Sequence, residues 1–500
     1  MMPAVHVTAA GKALPDGCRV VGVRVTSRLS QPAQCELTLD DPQGRALDLL
    51  GEALVVLVAG DDGPLFTGEV TGVGLTRAAD GTTETRVTGY DLLHRLRARQ
   101  AVRCFERVDV LDLVKAVAGD LPGVRVSGGD SGSPFERVVQ HRQRDLQLLT
   151  ETLGRVGLFA VLDGKDLRVL TLEGYGEPVA LQYGWDLHHV EVAAGVDRLA
   201  ARCEAQGWHP QRAAAFTESV ARPRHGRDIG LRPGSPASLT LVDESARTAA
   251  ELRAVAQGAL DASAARAVTL DGVAAGTAGL RAGRRIAVRG VATSLDGVYV
   301  LTEVVSTVDA DGYLAAVSTR PPAREVTRAA TSLTLGRVTA VDDPDGCGRV
   351  RVALQAYGGL DTGWVSLLVP GAGDGKGLVL LPDVGDAVLV ALPHDASGDA
   401  VVLGSLFGAT KAPDGAGVAG GGVRRWSMRT AHGQSFVVDD DERSVRVETA
   451  DGSYLQLAPD VVRLHAAADL TLEAPGHAIT IKARSVDFEH AVIAVPGGLT

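Results

Sequence analysis

Residues 435–488 read SFVVDDDERSVRVETADGSYLQLAPDVVRLHAAADLTLEAPGHAITIKARSVDF, and this stretch decides how the C-terminal part of the chain folds. It repeats one unit, in which two apolar side chains stand at positions i and i+2 and turn residues follow. Successive units are 7 to 10 residues apart. A period of two is typical of a β-strand with one apolar face, so each unit predicts one short strand. The seven apolar pairs are Phe436 and Val438, Val445 and Val447, Leu455 and Leu457, Val462 and Leu464, Leu470 and Leu472, Ile479 and Ile481, and Val486 and Phe488.

Strands of this kind form a small sheet whose apolar face needs a second layer to cover it. A single chain would fold them into an antiparallel meander or a sandwich. Three copies wound around one axis would instead turn every pair inward against the equivalent pairs of the other chains. No helical pattern in the stretch supplies a covering layer. We therefore favour an intertwined trimeric β-helix, or β-prism, in which the seven pairs form the trimer core.

The upstream sequence is also mainly β in pattern. Apolar runs such as Leu54-Val-Val-Leu-Val58, which predicts a strand buried on both faces, are separated by turn signals. At roughly 150 residues per domain, the chain of 500 residues has room for about three domains. We predict a first β-barrel at 1–100, an α/β insert at 101–190, a second barrel at 191–325, an oligonucleotide/oligosaccharide-binding (OB) barrel at 333–408, a flexible Gly-rich linker at 411–422 and the trimeric β-helix at 423–500.

Helical spacing of apolar residues interrupts the β pattern in three places. Residues 108–118 carry it with Asp109 as the N-cap, and residues 145–154 repeat it and stop at a glycine. An alanine-rich helix is predicted at 244–264. Residues 158–170 hold two apolar runs around an Asp-Gly turn signal, which predicts a hairpin.

Charge and cysteine usage restrict the function. The formal net charge of −11 argues against a nucleic-acid partner, which needs a concentrated basic face. The five cysteines are odd in number and widely spaced, which predicts neither a disulfide framework nor a zinc site. The cysteine usage and the lack of a secretory signal pattern at the N-terminus predict synthesis in a reducing cytoplasm. We predict no cofactor and no metal.

Residues 333–408 resemble the OB domain of the valine-glycine repeat protein G (VgrG) family, which comprises spikes of type VI secretion systems, phage baseplates and extracellular contractile injection systems. The resemblance lies in the order and spacing of five short motifs. The residues that carry it are Gly336, Arg337, Gly348, Arg349, Val350, Trp364, Leu381, Pro382, Gly385, Asp386, Gly404 and Ser405. The segments at 66–68, 89–94, 144–157, 280–283 and 297–301 resemble the phage hub part of the same proteins, and the likeness is weak around 200–265.

This resemblance implies a structural, non-enzymatic hub-and-spike subunit of a contractile, phage-tail-like injection system. The two barrels would form the hub, the OB barrel a collar, and the β-helix a needle that punctures a target membrane. It also implies a homotrimer that contacts tail tube and baseplate proteins, with a small conical tip protein of proline-alanine-alanine-arginine (PAAR) repeats near Val495. The particle would deliver the subunit outside the cell or into a target cell on contraction. The overall shape resembles the versions from extracellular injection systems or simple phage tails.

Four motifs suggest an alternative function as an enzyme, a phosphate-binding protein or a metal-binding protein. Ser131 lies in a Gly-Asp-Ser-Gly match to chymotrypsin-like proteases, which would make the chain a serine hydrolase, but no histidine or aspartate stands in the matching context. Residues 371–377 hint at a phosphate loop, yet they lack its first glycine and its final Ser or Thr, so we predict an OB loop. The loop histidines His188, His189 and His209 and the acidic run 439–442 could suggest metals.

Two further alternatives concern ligands. An OB barrel can bind single-stranded nucleic acid, which would make the chain a monomeric ligand-binding β-protein, but few aromatic and basic residues are available for stacking and phosphate contacts. Some phage spikes carry a His-x-His iron site near the tip. Here His465, His477 and His490 stand alone, so no tip metal is predicted.

Overall fold

The computed structural model describes residues 3–77, 79, 83–128, 135–197, 199–209, 214–227, 229–230, 237–243, 246–323, 331–393, 400–487 and 489. The chain divides into two compact units, residues 1–406 and 407–500. The structure is mainly β, which confirms this part of the predicted fold class. No helix in these ranges is long and apolar enough to cross a membrane.

Seven strands open the first unit, with short 3-10 helices at Arg45–Leu49 and Leu92–Arg97. In the fifth strand, Leu57 is 38% exposed between buried neighbours, so the strand predicted to be buried on both faces is buried on one. Only one face of its sheet lies on the core. The strands are β1 (Val5–Ala9), β2 (Lys12–Ala13), β3 (Arg19–Arg28), β4 (Gln34–Asp40), β5 (Ala53–Val58), β6 (Phe66–Arg77) and β7 (Thr83–Tyr90).

An α/β insert follows. Its first helix begins where predicted, because the Asp109 side chain accepts a hydrogen bond of 2.8 Å from the amide of Asp112. The second helix and the hairpin after it also confirm the predictions. The elements are β8 (Arg103–Val108), α1 (Val110–Ala118), β9 (Arg125–Gly128), β10 (Phe135–Gln140), α2 (Asp145–Arg155), β11 (Phe159–Asp163) and β12 (Asp166–Leu170).

Ten strands and one helix complete the part of the first unit before the OB region. The helix begins five residues later than predicted, because the Thr248 hydroxyl caps it by accepting a 3.1 Å hydrogen bond from the amide of Glu251. The elements are β13 (Tyr175–Gln182), β14 (Leu187–Ala194), β15 (Ala200–His209), β16 (Ala214–Val220), β17 (Ala237–Val242), α3 (Ala249–Ala267), β18 (Val268–Ala275), β19 (Arg284–Arg289), β20 (Gly297–Val300), β21 (Glu303–Asp309) and β22 (Gly312–Ser318).

Strands from both predicted barrels pair into one continuous sheet. Its eleven strands follow the order β14-β18-β22-β21-β3-β4-β7-β6-β5-β1-β2. The joint is the antiparallel pair of β21 and β3, in which Val305 faces Thr26. This long-range pairing brings residues near 25 and near 305 together, and no local sequence pattern predicts it.

The OB region forms a closed five-stranded barrel, as predicted. Its core is mainly valine, including Val338, Val350, Val352, Val388 and Val390, all at most 1% exposed. The barrel strands, in spatial order, are β23 (Ser332–Ala340), β24 (Val350–Leu354), β25 (Leu360–Leu367), β29 (Val401–Leu406) and β28 (Ala387–Leu392). A 3-10 helix lies at Gln355–Tyr357, and the loop before β28 carries the two-residue strands β26 (Ala372–Gly373) and β27 (Lys376–Gly377).

The second unit is a five-stranded antiparallel meander preceded by a compact turn. The predicted flexible linker instead contains a 3-10 helix at Pro413–Gly417 and the hairpin of β30 (Val418–Ala419) with β31 (Gly422–Val423). An Arg425–Asp414 ion pair of 3.1 Å fastens this turn to the first strand of the sheet. The sheet strands are β32 (Arg425–Arg429), β33 (Ser435–Asp439), β34 (Ser444–Glu448), β35 (Tyr454–Ala458) and β36 (Val461–His465).

Four of the seven predicted strands are therefore present, at β33 to β36. Residues 466–487 form no strand, although they contain the pairs at 470–472 and 479–481. A strand needs a neighbouring strand for its backbone hydrogen bonds, and this segment has none within the described part of its own chain. The predicted trimeric β-helix stays a prediction, and Phe488, His490 and Val495 lie outside the described residues.

Candidate assembly surfaces

The register of the C-terminal sheet (β32 to β36) places the apolar pairs in two rows on one face. Directly opposed residues in successive strands form each row. Side chains that oppose each other in this way are close neighbours in an antiparallel sheet. One row is Met428, Phe436, Val447, Leu455 and Leu464, and the other is Trp426, Val438, Val445, Leu457 and Val462. We call these ten residues the apolar face.

The apolar face is open to solvent. Trp426 is 75% exposed, Val462 66% and Leu464 58%, and only Val438 and Val445 in the middle are half-buried. Large contiguous apolar surfaces of this kind are rare on monomers and mark contact sites. No described residue of the second unit folds back over this face to bury it.

The opposite face of the same sheet is polar and is less exposed than the apolar one. The Arg446 guanidinium lies 3.7 Å from the centre of the Tyr454 ring and 2.9 Å from the Glu448 carboxylate. Tyr454 also stacks on His465 with ring centres 5.0 Å apart. Arg446 lowers the pKa of the Glu448 carboxyl through this hydrogen bond. In most sheets the apolar face is buried and the polar face is exposed, and here the polar face is the more covered one. The fold of one chain therefore leaves the apolar face without a covering layer.

Trp426 and Met428 extend the apolar face by one strand that the sequence analysis missed. They form an i, i+2 pair like the other seven, opposite Val438 and Phe436 respectively. The signal was present in the sequence, because Trp426-Ser-Met428 shows the same period of two. It was overlooked because a glycine-containing turn separates it from the repeat that starts at Ser435.

The segment after β36 repeats the apolar pattern without forming strands. Leu470, Leu472, Ile479, Ile481 and Val486 are each between 48% and 64% exposed. The structure brings none of these five onto the apolar face of the sheet. Their place in a trimer core is therefore a prediction that follows from their spacing.

In the five-stranded barrel, the loop at residues 343–349 is organised by a buried arginine. Arg349 is 5% exposed, and its guanidinium donates to both oxygens of Asp343 and to Asp345. Asp343 also accepts hydrogen bonds from the amides of Cys347 and Arg349. The Arg349 guanidinium holds the pKa of the Asp343 carboxyl well below its usual range.

A second group of the OB motif residues meets where β23 faces the turn before β28. The Arg337 guanidinium donates to the Gly385 carbonyl at 2.7 Å. The Gly385 amide donates to the Val338 carbonyl, and the Val338 amide donates to the Asp386 carbonyl. A Cβ atom on Gly336 would stand 2.2 Å from Val352, so only glycine allows β23 and β24 to pair this closely.

The remaining motif residues do not join these two groups. Pro382 is buried, but Leu381 is 40% exposed. Trp364 on β25 lies under the Arg351 guanidinium, and Gly404 and Ser405 pair with β28. The motif therefore describes barrel geometry at several points, and it does not describe one chemical site.

Among the described residues, the structure assembles no catalytic or metal site from the motifs that suggested one. Ser131 lies outside the described residues. Residues 371–377 form the exposed tip hairpin of the OB loop. His188 and His189 lie on β14 and His209 ends β15, so their prediction as loop residues was wrong. Across the described ranges, no three His, Cys, Asp or Glu side chains cluster as a metal site.

Two long segments of the chain match models of known protein families. Residues 26–312 match the family model described as phage tail baseplate hub (GPD). Residues 334–407 match the model described as type VI secretion system/phage-baseplate injector OB domain. A search of curated proteins by sequence found no match.

Two solved structures share this fold. The Escherichia coli c3393 protein, a component of the type VI secretion system, aligns with a TM-score of 0.55 at 16% identity, covering 80% of this chain and 99% of that one. A chain of the lidded Francisella PdpA–VgrG complex aligns with a TM-score of 0.56 at 8% identity, covering 92% of this chain and 79% of that one. At these identities the likeness concerns the fold.

Proposed function

We propose a function from the premise that this chain belongs to the phage tail baseplate hub family, whose model spans more than half of it. The chain is the hub-and-spike subunit of a contractile injection system. It works as a homotrimer that links the tail tube to a needle, and it carries out no chemical reaction. The single observation that supports this proposal most is the uncovered apolar face of the C-terminal sheet.

Two further copies of the chain are the occupant that fits this face. The apolar rows run across all five strands without an interposed charge, so their partner must be apolar over the same length. Copies of the same face meet this condition by symmetry. Burying one exposed Leu or Val side chain contributes roughly 1.5–3 kcal/mol, and a trimer repeats each contribution three times.

The segment 466–487 would complete the needle in the trimer. Its exposed pairs find neighbouring strands only when other chains run beside them. In a closed trimeric prism, no strand edge is left unpaired, and this gives the needle its stiffness. The seven predicted pairs and the pair at Trp426 and Met428 then form one continuous core.

The first unit would form the hub. Each chain contributes the two β regions joined in the eleven-stranded sheet, so three chains present six similar regions to a six-fold tail tube. The five-stranded barrel is the collar at which this ring narrows to three-fold symmetry. Sheath contraction would then drive the needle through a target membrane, with a conical PAAR-repeat protein seated on its tip.

A matched pair of substitutions tests the trimer. Leu455 lies on the apolar face and Gln456 on the polar one, next to each other in β35. In Leu455→Asp, three carboxylates would have to enter the trimer core without partners, which costs several kcal/mol each. We expect this variant to be monomeric in analytical ultracentrifugation, while Gln456→Asp stays trimeric.

The proposal requires that the two variants differ. Leu455 is 42% exposed in one chain, so an aspartate there costs a folded monomer little. Far-UV circular dichroism should therefore show folded β structure in both variants, and the monomer should lack only the strands that residues 466–487 would form in the trimer. A Leu455→Asp protein with the oligomeric state of the unmodified chain would contradict the assignment of this face to the trimer core.

A further inference from the structure

One arginine of the α/β insert binds main-chain carbonyls of the five-stranded barrel. Arg137 on β10 extends its guanidinium to the turn at the start of β25, where it donates to the main-chain carbonyls of Asp361 and Thr362. Its Nε lies 3.1 Å from the Cys104 sulfur on β8, the strand that pairs with β10. One planar group is thus held by two strands of the insert while it binds two carbonyls of the barrel.

Hydrogen bonds within the barrel fix the turn that carries the two acceptor carbonyls. Thr362 is 1% exposed, and its hydroxyl accepts a hydrogen bond of 3.1 Å from the amide of Val352 in the neighbouring strand. The Asp361 carboxylate accepts from the Gly363 amide at 2.6 Å, which fixes the direction of the turn. The two carbonyls therefore point at Arg137 because the barrel's own bonds hold them there.

Gly363 shows how closely the two parts approach. Its φ is +69°, in the left-handed region, and a Cβ atom would stand 2.5 Å from Nη1 of Arg137. Any side chain at this position would push the guanidinium away from its carbonyls. The glycine is thus required by the contact with the insert as well as by the turn.

A second pair of contacts lies beside the first. The ring of His141, just beyond β10, packs edge-on against Tyr357 of the barrel with ring centres 5.3 Å apart. Arg142 donates to the Tyr357 hydroxyl at 3.4 Å. The covalent connection from hub to barrel is the separate segment 319–331, so these contacts join the two parts at a second, distant place along the chain.

We propose that Arg137 clamps the five-stranded barrel onto the α/β insert and so fixes the orientation of the collar relative to the hub. A guanidinium suits this role because its rigid fork of donors reaches two carbonyls at once. The inference rests on the proposed function only for its mechanical meaning. In a contracting machine, the clamp would pass an axial load from the hub into the collar.

Hydrogen exchange of the full-length protein tests the clamp. Arg137→Met keeps the length of the side chain and removes its donors. We expect amides in residues 135–142 and 354–363 to exchange at least tenfold faster in this variant, while those of the barrel core at 388–392 keep their rates. Arg137→Lys, whose ammonium reaches one carbonyl at a time, should fall between. The control is Arg125→Met, at an exposed arginine of the same insert that pairs with Asp166, and it should change neither segment.

A change from the barrel side separates docking from folding. Gly363→Ala should accelerate the same two segments, because its methyl group displaces the guanidinium. Rates within twofold of the unmodified chain in both Arg137→Met and Gly363→Ala would overturn the proposal. So would an equal acceleration of residues 388–392, which would mean that Arg137 serves the folding of the barrel. If Arg137→Met does not fold, Arg137→Lys carries the same expectation.

The same samples keep this inference distinct from the proposed trimer. Arg137 is far along the chain from the C-terminal sheet, so none of these variants should change the native mass. The mass of the unmodified protein reports on the trimer, and the difference in exchange between variants reports on the clamp. Either can fail without the other.

Discussion

The guanidinium of Arg349 lies between two carboxylates that the loop at 343–349 would otherwise bring together without compensation. Its bonds to Asp343 replace water that this loop excludes, since Arg349 is 5% exposed, whereas the Asp345 side chain stays 68% exposed. Charge-assisted bonds of this kind are stronger than neutral ones. They tie the loop to the start of β24, the strand whose valines line the barrel core.

Removal of this arginine should weaken the barrel. Arg349→Ala leaves Asp343 buried without its partner, and we expect a loss of about 2 kcal/mol in the free energy of unfolding. The control is Arg351→Ala, two residues away, because Arg351 is 42% exposed and its ion pair with Asp361 contributes little. Chemical denaturation followed by circular dichroism measures both. Equal losses in the two variants would contradict the role of Arg349.

The same bond predicts an acid dependence. Because the pKa of Asp343 is depressed in the folded chain, its contribution is fully present above the ordinary aspartate pKa of about 3.9 and declines as the pH falls below that value. The Arg349→Ala variant lacks this contribution. Its stability relative to the unmodified chain should therefore improve between about pH 4 and pH 2, and a constant difference over that range would contradict the assignment.

Local signals in the sequence determine single residues well and long-range contacts poorly. Asp109 acts as the N-cap that its position before an apolar helical pattern predicts. Arg349 belongs to a recognisable motif, yet its partners depend on how the loop closes. No sequence pattern predicts the contact of Arg137, because the carbonyls it binds lie more than 200 residues away in the sequence.

At the scale of elements, the backbone of helix α3 packs directly against the backbone of the turn after α2. A Cβ atom on Gly258 would stand 2.7 Å from the Gly157 amide nitrogen, and one on Gly157 would stand 2.5 Å from the Gly258 Cα. The ion pairs of Arg155 with Asp243 and Glu251, both at 2.8 Å, lie beside this crossing. The two glycines therefore set the distance between the α/β insert and the long helix.

Gly258→Ala should destabilise the first unit by about 1–3 kcal/mol, because the added methyl group overpacks the crossing. Gly154→Ala is the matched control. Gly154 is a helical residue of α2 with nothing within 4 Å of its Cβ position, so alanine there should stabilise the chain by up to about 1 kcal/mol. Thermal unfolding of the two variants should give shifts of opposite sign. Shifts of the same sign would contradict the close crossing.

Ile481→Asp tests the segment that forms no strand in one chain. Ile481 is 64% exposed, so an aspartate at this position should leave the monomer fold unchanged. In the trimer it would bury three carboxylates, and we expect loss of trimer or of soluble yield. Size-exclusion chromatography with light scattering measures both quantities. Normal yield and an unchanged oligomer would exclude this segment from the core.

The elements also show where sequence patterns end. Period-two alternation located four of the seven predicted C-terminal strands, because the pattern reports one apolar face. Periodicity does not say which strands pair. The eleven-stranded sheet depends on the contact between β21 and β3, and the fate of residues 466–487 depends on neighbours outside their own chain.

For the whole molecule, the two units differ in how far one chain completes them. The first unit buries several apolar clusters of its own, including the valine core of the barrel. The second leaves its apolar face open and its polar face half-covered. Under the proposed function, the first unit would fold as a hub within one chain, and the second would form a needle only by association with equivalent chains.

The native mass of the purified protein in dilute solution tests the central claim most directly. The chain has a mass of 51.8 kDa, and three copies that cover one another's apolar faces predict a particle of about 155 kDa. That mass should persist on dilution to nanomolar concentration, since each chain buries the full apolar face. A well-folded particle of a single chain's mass, with residues 425–487 resistant to protease, would contradict the account.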